Sequence, residues 1–196
     1  MYIATNRCSI KSFKIMKKIF IIAIIMFSFL SKTNASYEQL AHEFSFKSIE
    51  GGEINLQNFK NNVLVVVNVA SRCGFTNQYA DLQDLWSKYK DKNLVVIGVP
   101  TNNFKQEPGS NKDIKDFCKT NFNINFPMTE KMDVIGNNAH PFFKWAKENH
   151  GKSAIPKWNF HKIIIGKDGR VIDTFASITK PSSKKFINLI EKEIKN

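Results

Sequence analysis

Val63-Leu64-Val65-Val66-Val67-Asn68-Val69 is the stretch on which the fold turns. It is a near-continuous β-branched run, the pattern of a strand buried on both faces. Leu94-Val95-Val96-Ile97-Gly98-Val99 repeats that pattern. Between the two, Tyr79, Leu82, Leu85, Trp86 and Tyr89 fall at helical spacing. Strand, helix, strand predicts a right-handed parallel crossover. Upstream, Phe44-Ser45-Phe46-Lys47-Ser48-Ile49 and Ile54-Asn55-Leu56 alternate around Glu50-Gly51-Gly52-Glu53, which predicts a hairpin with a two-residue glycine turn. Downstream, Ser110 and Asp113 read as the start of a helix that runs through Phe117 and Cys118. Phe142, Phe143, Trp145 and Ala146 mark another helix opening near Pro141. Ile163-Ile164-Ile165, the turn Gly166-Lys167-Asp168-Gly169 and Val171-Ile172-Asp173-Thr174-Phe175 predict an antiparallel hairpin. Pro181-Ser182-Ser183 opens a last helix whose Phe186, Leu189, Ile190 and Ile194 form one apolar stripe. The order β-β-β-α-β-α-α-β-β-α predicts an α/β domain, a central mixed β-sheet with helices on both faces.

Composition narrows the class. With 196 residues, 42% hydrophobic and 23% charged, the chain is neither disordered, collagen-like nor a disulfide-dense miniprotein. The net charge is +12, but residues 1–35 carry Arg7, Lys11, Lys14, Lys17, Lys18 and Lys32 with no acid, which leaves +6 for the remainder. From Ile19 to Leu30 the leader is apolar except for Ser28. As a helix that run spans about 18 Å, short of a bilayer core of about 30 Å. A basic start, a short apolar run and Thr33-Asn34-Ala35 at its end describe a secretory signal peptide cleaved after Ala35. An uncleaved amphipathic anchor is the alternative. Met16 is the more usual start, which would put residues 1–15 upstream of the protein. The expectation is an exported protein, periplasmic or secreted, without stable membrane insertion. Its domain spans 36–196, and Cys8 leaves with the leader.

Lys88, Lys90, Lys92, Lys112, Lys115, Lys119, Lys184 and Lys185 are spread among acids and read as a solvated surface. Nucleic-acid binding needs a basic face interleaved with stacking aromatics, and none is legible. His42, His140, His150 and His161 are scattered, so no metal-ligand spacing appears. No glycine-rich phosphate loop appears either, and no cofactor is expected. His161 lies near Trp158 and Asn159 and could tune a site there, but a lone histidine is more often surface or structural, and it is left out of the catalytic set.

Cys73 is the first candidate for chemistry. It follows the end of the first buried strand by a few residues and precedes the helix containing Leu82. In open α/β sheets, sites form beyond the carboxyl ends of strands. A thiol placed there sits at the positive end of the following helix, beside Arg72, and only the thiolate attacks well. A buried structural cysteine is the competing reading, and position alone does not decide between them. Cys73-Gly74-Phe75-Thr76 is not C-x-x-C, so dithiol exchange within one loop is unavailable.

The wider context decides it. Asn68-Val69-Ala70-Ser71-Arg72-Cys73-Gly74-Phe75-Thr76-Asn77-Gln78-Tyr79 closely resembles the active-site segment of the glutathione peroxidase family. So does Gly98-Val99-Pro100-Thr101-Asn102-Asn103-Phe104-Lys105-Gln106-Glu107-Pro108-Gly109-Ser110, and Lys157-Trp158-Asn159-Phe160-His161-Lys162 matches the family's Trp-Asn segment. The three blocks occur in family order, and the similarity runs from about Phe44 to the C-terminus. The resemblance implies a thioredoxin-like fold with an N-terminal β-hairpin, and reduction of hydrogen peroxide and organic hydroperoxides in an oxidative stress response. It maps the family's catalytic tetrad onto Cys73, Gln106, Trp158 and Asn159. The chemistry fits those residue types: the Trp158 indole only donates, and the Gln106 and Asn159 amides donate through their NH₂ groups. Such donors stabilise a thiolate and a leaving hydroxide or alkoxide without taking the proton.

Attack would leave a sulfenic acid on Cys73. In one branch of the family a second cysteine, in the context Phe-Cys followed by Phe-Pro, resolves it as a disulfide. Asp116-Phe117-Cys118 followed by Asn125-Phe126-Pro127 occupies that place, and members of this branch generally resemble thioredoxin-dependent enzymes. The resemblance therefore implies a Cys73–Cys118 intermediate, re-reduced by a thioredoxin-like protein or by glutathione, in a chain for which a monomer is favoured. Thr101 stands where the family carries a third cysteine, and the loop before Gln106 is one residue shorter than usual. Two other functions stay open at this point: a thiol–disulfide redox relay or sensor, and a non-enzymatic thioredoxin-fold binding module.

Overall fold

The computed structural model describes residues 39–196; the leader, Cys8 and the expected cleavage point lie outside them. The near-continuous apolar run Val63–Val69 is strand β3, and every one of its residues is buried. It pairs in parallel with β4, Leu94–Pro100, across the helix α1, Gln78–Tyr89. On its other side it pairs antiparallel with β5, Lys162–Ile165, which pairs antiparallel with β6, Val171–Phe175. The four-stranded sheet thus runs β4-β3-β5-β6. Side chains alternate across it, because successive Cβ atoms on a strand point to opposite faces. Val63, Val65, Val67 and Val69 meet α1, together with Ile114 and Cys118 of α2, Asn111–Phe122, and Phe186 and Ile190 of α4, Lys184–Lys195. Leu64 and Val66 meet Phe142, Phe143 and Trp145 of α3, Pro141–His150, and the N-terminal hairpin β1, Ser45–Lys47, with β2, Glu53–Asn55. The mixed sheet with helices on both faces is as expected.

β4 is an edge strand of this sheet, yet it is fully buried. The chain at 126–129 covers it: Gly98 N donates to Pro127 O, and Thr129 N donates to Gly98 O, both at 2.9 Å. A Cβ on Gly98 would run into Met128 Sδ and stand 3.1 Å from Phe126 Cε2, so any larger residue would push the Met128 side chain aside. The same segment reaches the hairpin, with Ser48 bridged to Thr129 and Ile49 N donating to Met128 O at 3.0 Å. That contact explains a difference from the expected two-residue turn. The register pairs Lys47 with Glu53, so the loop spans Ser48 to Gly52 and closes with Ser48 N donating to Gly52 O. Both glycines do take positive φ, 92° at Gly51 and 74° at Gly52.

α2 begins as the sequence indicates. Ser110 Oγ accepts from Asp113 N, and the Asp113 carboxylate accepts from Ser110 N at 2.9 Å, a reciprocal capping box. The helix ends at Asn123, whose left-handed conformation (φ 51°) turns the chain back toward Phe126.

Candidate active site

Beyond the carboxyl end of β3 the chain does not enter α1 directly. Thr76 N donates to Cys73 O, Gln78 N to Phe75 O and Tyr79 N to Thr76 O, a chain of turns that leads into the helix. Thr76 staples this turn: its Oγ1 accepts from Cys73 N and donates to Ala70 O, both at 3.0 Å. Cys73 sits in the turn at 8% exposure, and its Sγ receives the Phe75 N–H at 3.4 Å. The backbone itself therefore supplies one donor to the sulfur.

Gln106 arrives from the loop after β4. Its carbonyl accepts from Arg72 N at 3.1 Å, which ties that loop to the residue beside Cys73. Lys105 just before it holds a positive φ of 58°, with its N–H returned to Asn102 O. The Gln106 side chain takes a hydrogen bond from Asn159, Nδ2 to Oε1 at 2.9 Å. With its oxygen so occupied, the amide presents its NH₂ end as a donor. Asn159 is completely buried and its Oδ1 has no partner. Trp158 is 41% exposed, one of the two large apolar side chains on the described surface, and its ring lies 5.5 Å from that of Phe104. Trp158 is thus not a core residue. Gln106 and Asn159 are brought into direct contact, and Gln106 is laced to the Cys73 turn. No hydrogen bond from Gln106, Trp158 or Asn159 reaches the Cys73 sulfur among the described residues.

Two residues with no predicted role hold this arrangement. Asn68 is the polar member of β3 and is 1% exposed. Its Nδ2 donates to Trp158 O and its Oδ1 accepts from His161 N, both at 3.1 Å. Its backbone O accepts from Phe160 N at 2.6 Å, and its N donates to His161 O at 3.3 Å. One residue thereby clamps Trp158 through His161, and the loop takes a positive φ of 63° at Phe160 to fit. Such a conformation in an aromatic residue persists only where its surroundings over-determine it. Lys162, likewise fully buried, donates to Gln78 Oε1 and to Thr179 O, while Gln78 Nε2 donates to Ser177 O. Burial pulls the Lys162 ammonium down to about 7. His161 is pushed down to about 4 by burial, then by Lys162 and Lys157, so it is a neutral imidazole with Nε2 unpartnered.

A profile of the glutathione peroxidase family matches residues 41–147. The chain is 42% identical over 147 residues to glutathione peroxidase-like peroxiredoxin 2 of Saccharomyces cerevisiae, across 72% of this chain and 90% of that protein. The chain belongs to the glutathione peroxidase family. It is an oxidoreductase of the peroxidase class. It is also 42% identical over 147 residues to hydroperoxy fatty acid reductase gpx1 of Synechocystis, across 70% of this chain and 87% of that protein. In the solved apo form of Trgpx, 34% identical, the same thioredoxin-like fold superposes with a TM-score of 0.65, over 81% of this chain and 97% of that one.

In this family member both described cysteines are free and buried. Cys118 lies on α2 at 3% exposure, in the same core cluster as Cys73 and Tyr79. Burial pushes its thiol up to about 11; the nearby Tyr79 hydroxyl opposes the rise and the Glu107 carboxylate adds to it. That hydroxyl approaches Cys118 closely enough to perturb it without forming a well-aligned hydrogen bond. Among the described residues no group of three or more His, Cys, Asp or Glu side chains could hold a metal ion.

Proposed function

We propose that Cys73 is the thiol through which this peroxidase reduces hydrogen peroxide and organic hydroperoxides, and that Cys118 resolves it. The observation that carries this reading is the Asn159–Gln106 pair, held against the Cys73 turn by the Arg72 N to Gln106 O bond. The Cys73 thiolate attacks one peroxide oxygen and the O–O bond breaks. The leaving alkoxide or hydroxide takes a proton and departs as alcohol or water, while sulfur keeps the other oxygen as Cys73–SOH. Trp158 and Gln106 donate to the charge as it moves from sulfur to the leaving oxygen, and Asn159 holds the Gln106 amide for that task. Cys118–SH then displaces hydroxide from Cys73–SOH, giving the Cys73–Cys118 disulfide and water. Two reducing equivalents from a thioredoxin-like protein or glutathione restore both thiols.

The second step asks more of the fold than the first. A pKa of about 11 leaves Cys118 about one part in 10⁴ ionised at pH 7. Cys118 is also buried within α2 at 3% exposure, and we therefore place a local opening of α2 between oxidation and resolution. The enzyme is proposed to act outside the cytosol in defence against oxidants, as its leader suggests.

The test is intact mass after one equivalent of H₂O₂, with peptide mapping. Loss of two hydrogens, mapped to Cys73 linked to Cys118, is the expected result. Added oxygen on Cys73 with Cys118 still free would leave a one-cysteine enzyme, and an unreacted Cys73 would overturn the reading. Trp158→Ala and Gln106→Ala should each slow Cys73 oxidation by a factor on the order of 10².

A further inference from the structure

Glu107 is the one acidic side chain buried among the described residues, at 2% exposure. It makes no salt bridge there. A carboxylate in that position is costly to the fold unless hydrogen bonds meet it. They come from one residue: Ser71 N donates to Glu107 Oε2 at 2.7 Å and Ser71 Oγ to the same oxygen at 2.9 Å. Ser71 lies two positions before Cys73, and Glu107 one position after Gln106. With Arg72 N bonded to Gln106 O, the pairs 71–72 and 106–107 close like a zip between the cysteine turn and the amide loop. The other end of Glu107 is fixed as well. Its N–H donates to Asn102 Oδ1 at 3.0 Å, which folds the 102–107 loop onto itself, and Lys131 Nζ reaches its carbonyl at 3.5 Å.

We propose that Glu107 is a positioning residue of the peroxidase site, whose carboxylate fixes the Ser71–Cys73 turn against the Gln106 loop. The sulfur and the Gln106 amide then meet the peroxide in one geometry. This rests on Cys73 being the attacking thiol. The tie is needed because the far side of the turn is not packed solid. A cavity of about 150 Å³ lined by Ser71, Arg72, Glu107, Asp113, Ile114 and Phe117 separates it from α2 and gives the turn room to shift.

The experiment measures the rate of Cys73 oxidation by H₂O₂, by quenched-flow intact mass on the whole protein, in wild type, Glu107→Ala, Glu107→Asp and Glu107→Gln. Glu107→Ala removes both Ser71 bonds and is expected to slow oxidation about 10- to 100-fold, the scale of a misplaced reacting group. Glu107→Asp, one methylene short, should fall with it. Glu107→Gln presents an oxygen in the same place, accepts both bonds and should recover to within a few-fold of wild type. Melting temperatures are recorded in parallel, and the rates should follow the Ser71 bonds and not the order of stability. If Glu107→Ala does not fold, the Asp and Gln pair decides. Glu107→Ala or Glu107→Asp oxidising as fast as wild type would overturn the role of Glu107 alone. Glu107→Gln falling as far as Glu107→Ala would overturn positioning through these bonds. A wild type that is not oxidised at Cys73 would overturn the site reading and this role with it.

Discussion

Replacing Asn68 with Ala should weaken the action proposed for Trp158 and Asn159 without touching either side chain. The change removes two hydrogen bonds of 3.1 Å, from Asn68 Nδ2 to Trp158 O and from His161 N to Asn68 Oδ1. Each leaves a backbone group without its partner, and an unsatisfied buried group costs about 1–3 kcal/mol. The space vacated by the amide can admit water, so the lower part of the summed range, about 2–3 kcal/mol, is the expected loss of stability. The backbone bonds from Phe160 N and to His161 O remain, so the strand pairing survives. Phe160, held at φ 63°, then has reason to relax, because that conformation costs roughly 1–3 kcal/mol. A displacement of the loop by about 1 Å is enough to slow a reaction on the order of 10²-fold. Urea unfolding gives the first quantity, and the rate of Cys73 oxidation by H₂O₂ in folded protein gives the second. Asn68→Asp is the control: it keeps an acceptor for His161 N–H but faces the Trp158 carbonyl with a carboxylate, so it too should be slow. If Asn68→Ala lost the expected stability yet oxidised at the wild-type rate, the clamp would serve the fold alone.

In reduced Cys73→Ser protein, alkylation of Cys118 should rise about tenfold per pH unit from pH 7 to 10, since its thiol titrates at about 11; a plateau near pH 8.5 would mean the thiol reacts from outside the helix core. Lys162→Met should change the pH dependence of stability. A lysine whose folded pKa is depressed to about 7 binds fewer protons folded than unfolded between pH 7 and 10.5, so wild type gains up to about 1.4 kcal/mol per pH unit over that window. The Met variant should lack that rise in chemical denaturation, and parallel curves would refute it. Ser110→Ala removes the hydroxyl of the α2 capping box, worth about 1 kcal/mol, and should raise the opening equilibrium of the helix about fivefold. Disulfide formation after oxidation should accelerate by that factor, read by mass in the same quenched-flow series; an unchanged rate would mean that α2 need not open.

What the sequence disclosed and what it withheld divide along one line. Val63–Val69 and Leu94–Val99 were legible as buried strands because burial on both faces demands an unbroken apolar run. Ser110 with Asp113 was legible because a cap is a local bargain between residues three apart. Cys73 stood out as a candidate from its place after a strand but was singled out only through resemblance, as were Gln106, Trp158 and Asn159, because nothing local predicts that residues 53 positions apart share a hydrogen bond. Asn68 did carry a signal: a lone amide in a strand buried on both faces must find partners. Lys162 carried none, because Lys-Ile-Ile-Ile at a strand start reads equally well with an exposed lysine, and its partners lie 84 and 17 positions away. The hairpin loop differed for the same reason. Its register answers to Met128 and Thr129, not to its own glycines.

The site is built so that its two proposed steps draw on different parts of the fold. Everything that would serve attack on peroxide is over-determined: the Cys73 turn by Thr76 and Ser71, Gln106 by Arg72 and Asn159, and Trp158 by Asn68, which leaves its ring exposed while its main chain is pinned. Rigid donors cost no reorganisation as charge develops, which is what a fast first step needs. Cys118 stands on the opposite kind of support. α2 buries Ile114 and Cys118, whereas α1 buries Gln78, Tyr79, Leu82, Leu85 and Tyr89. Releasing α2 therefore exposes two buried side chains, with Phe117 and Phe122 packed partly against the core, whereas releasing α1 exposes five buried ones. Local unfolding starts where least is buried. The thiol proposed to resolve is thus carried by the helix with fewer buried side chains, and the thiol proposed to react by a turn held through the hydrogen bonds of Thr76 and Glu107.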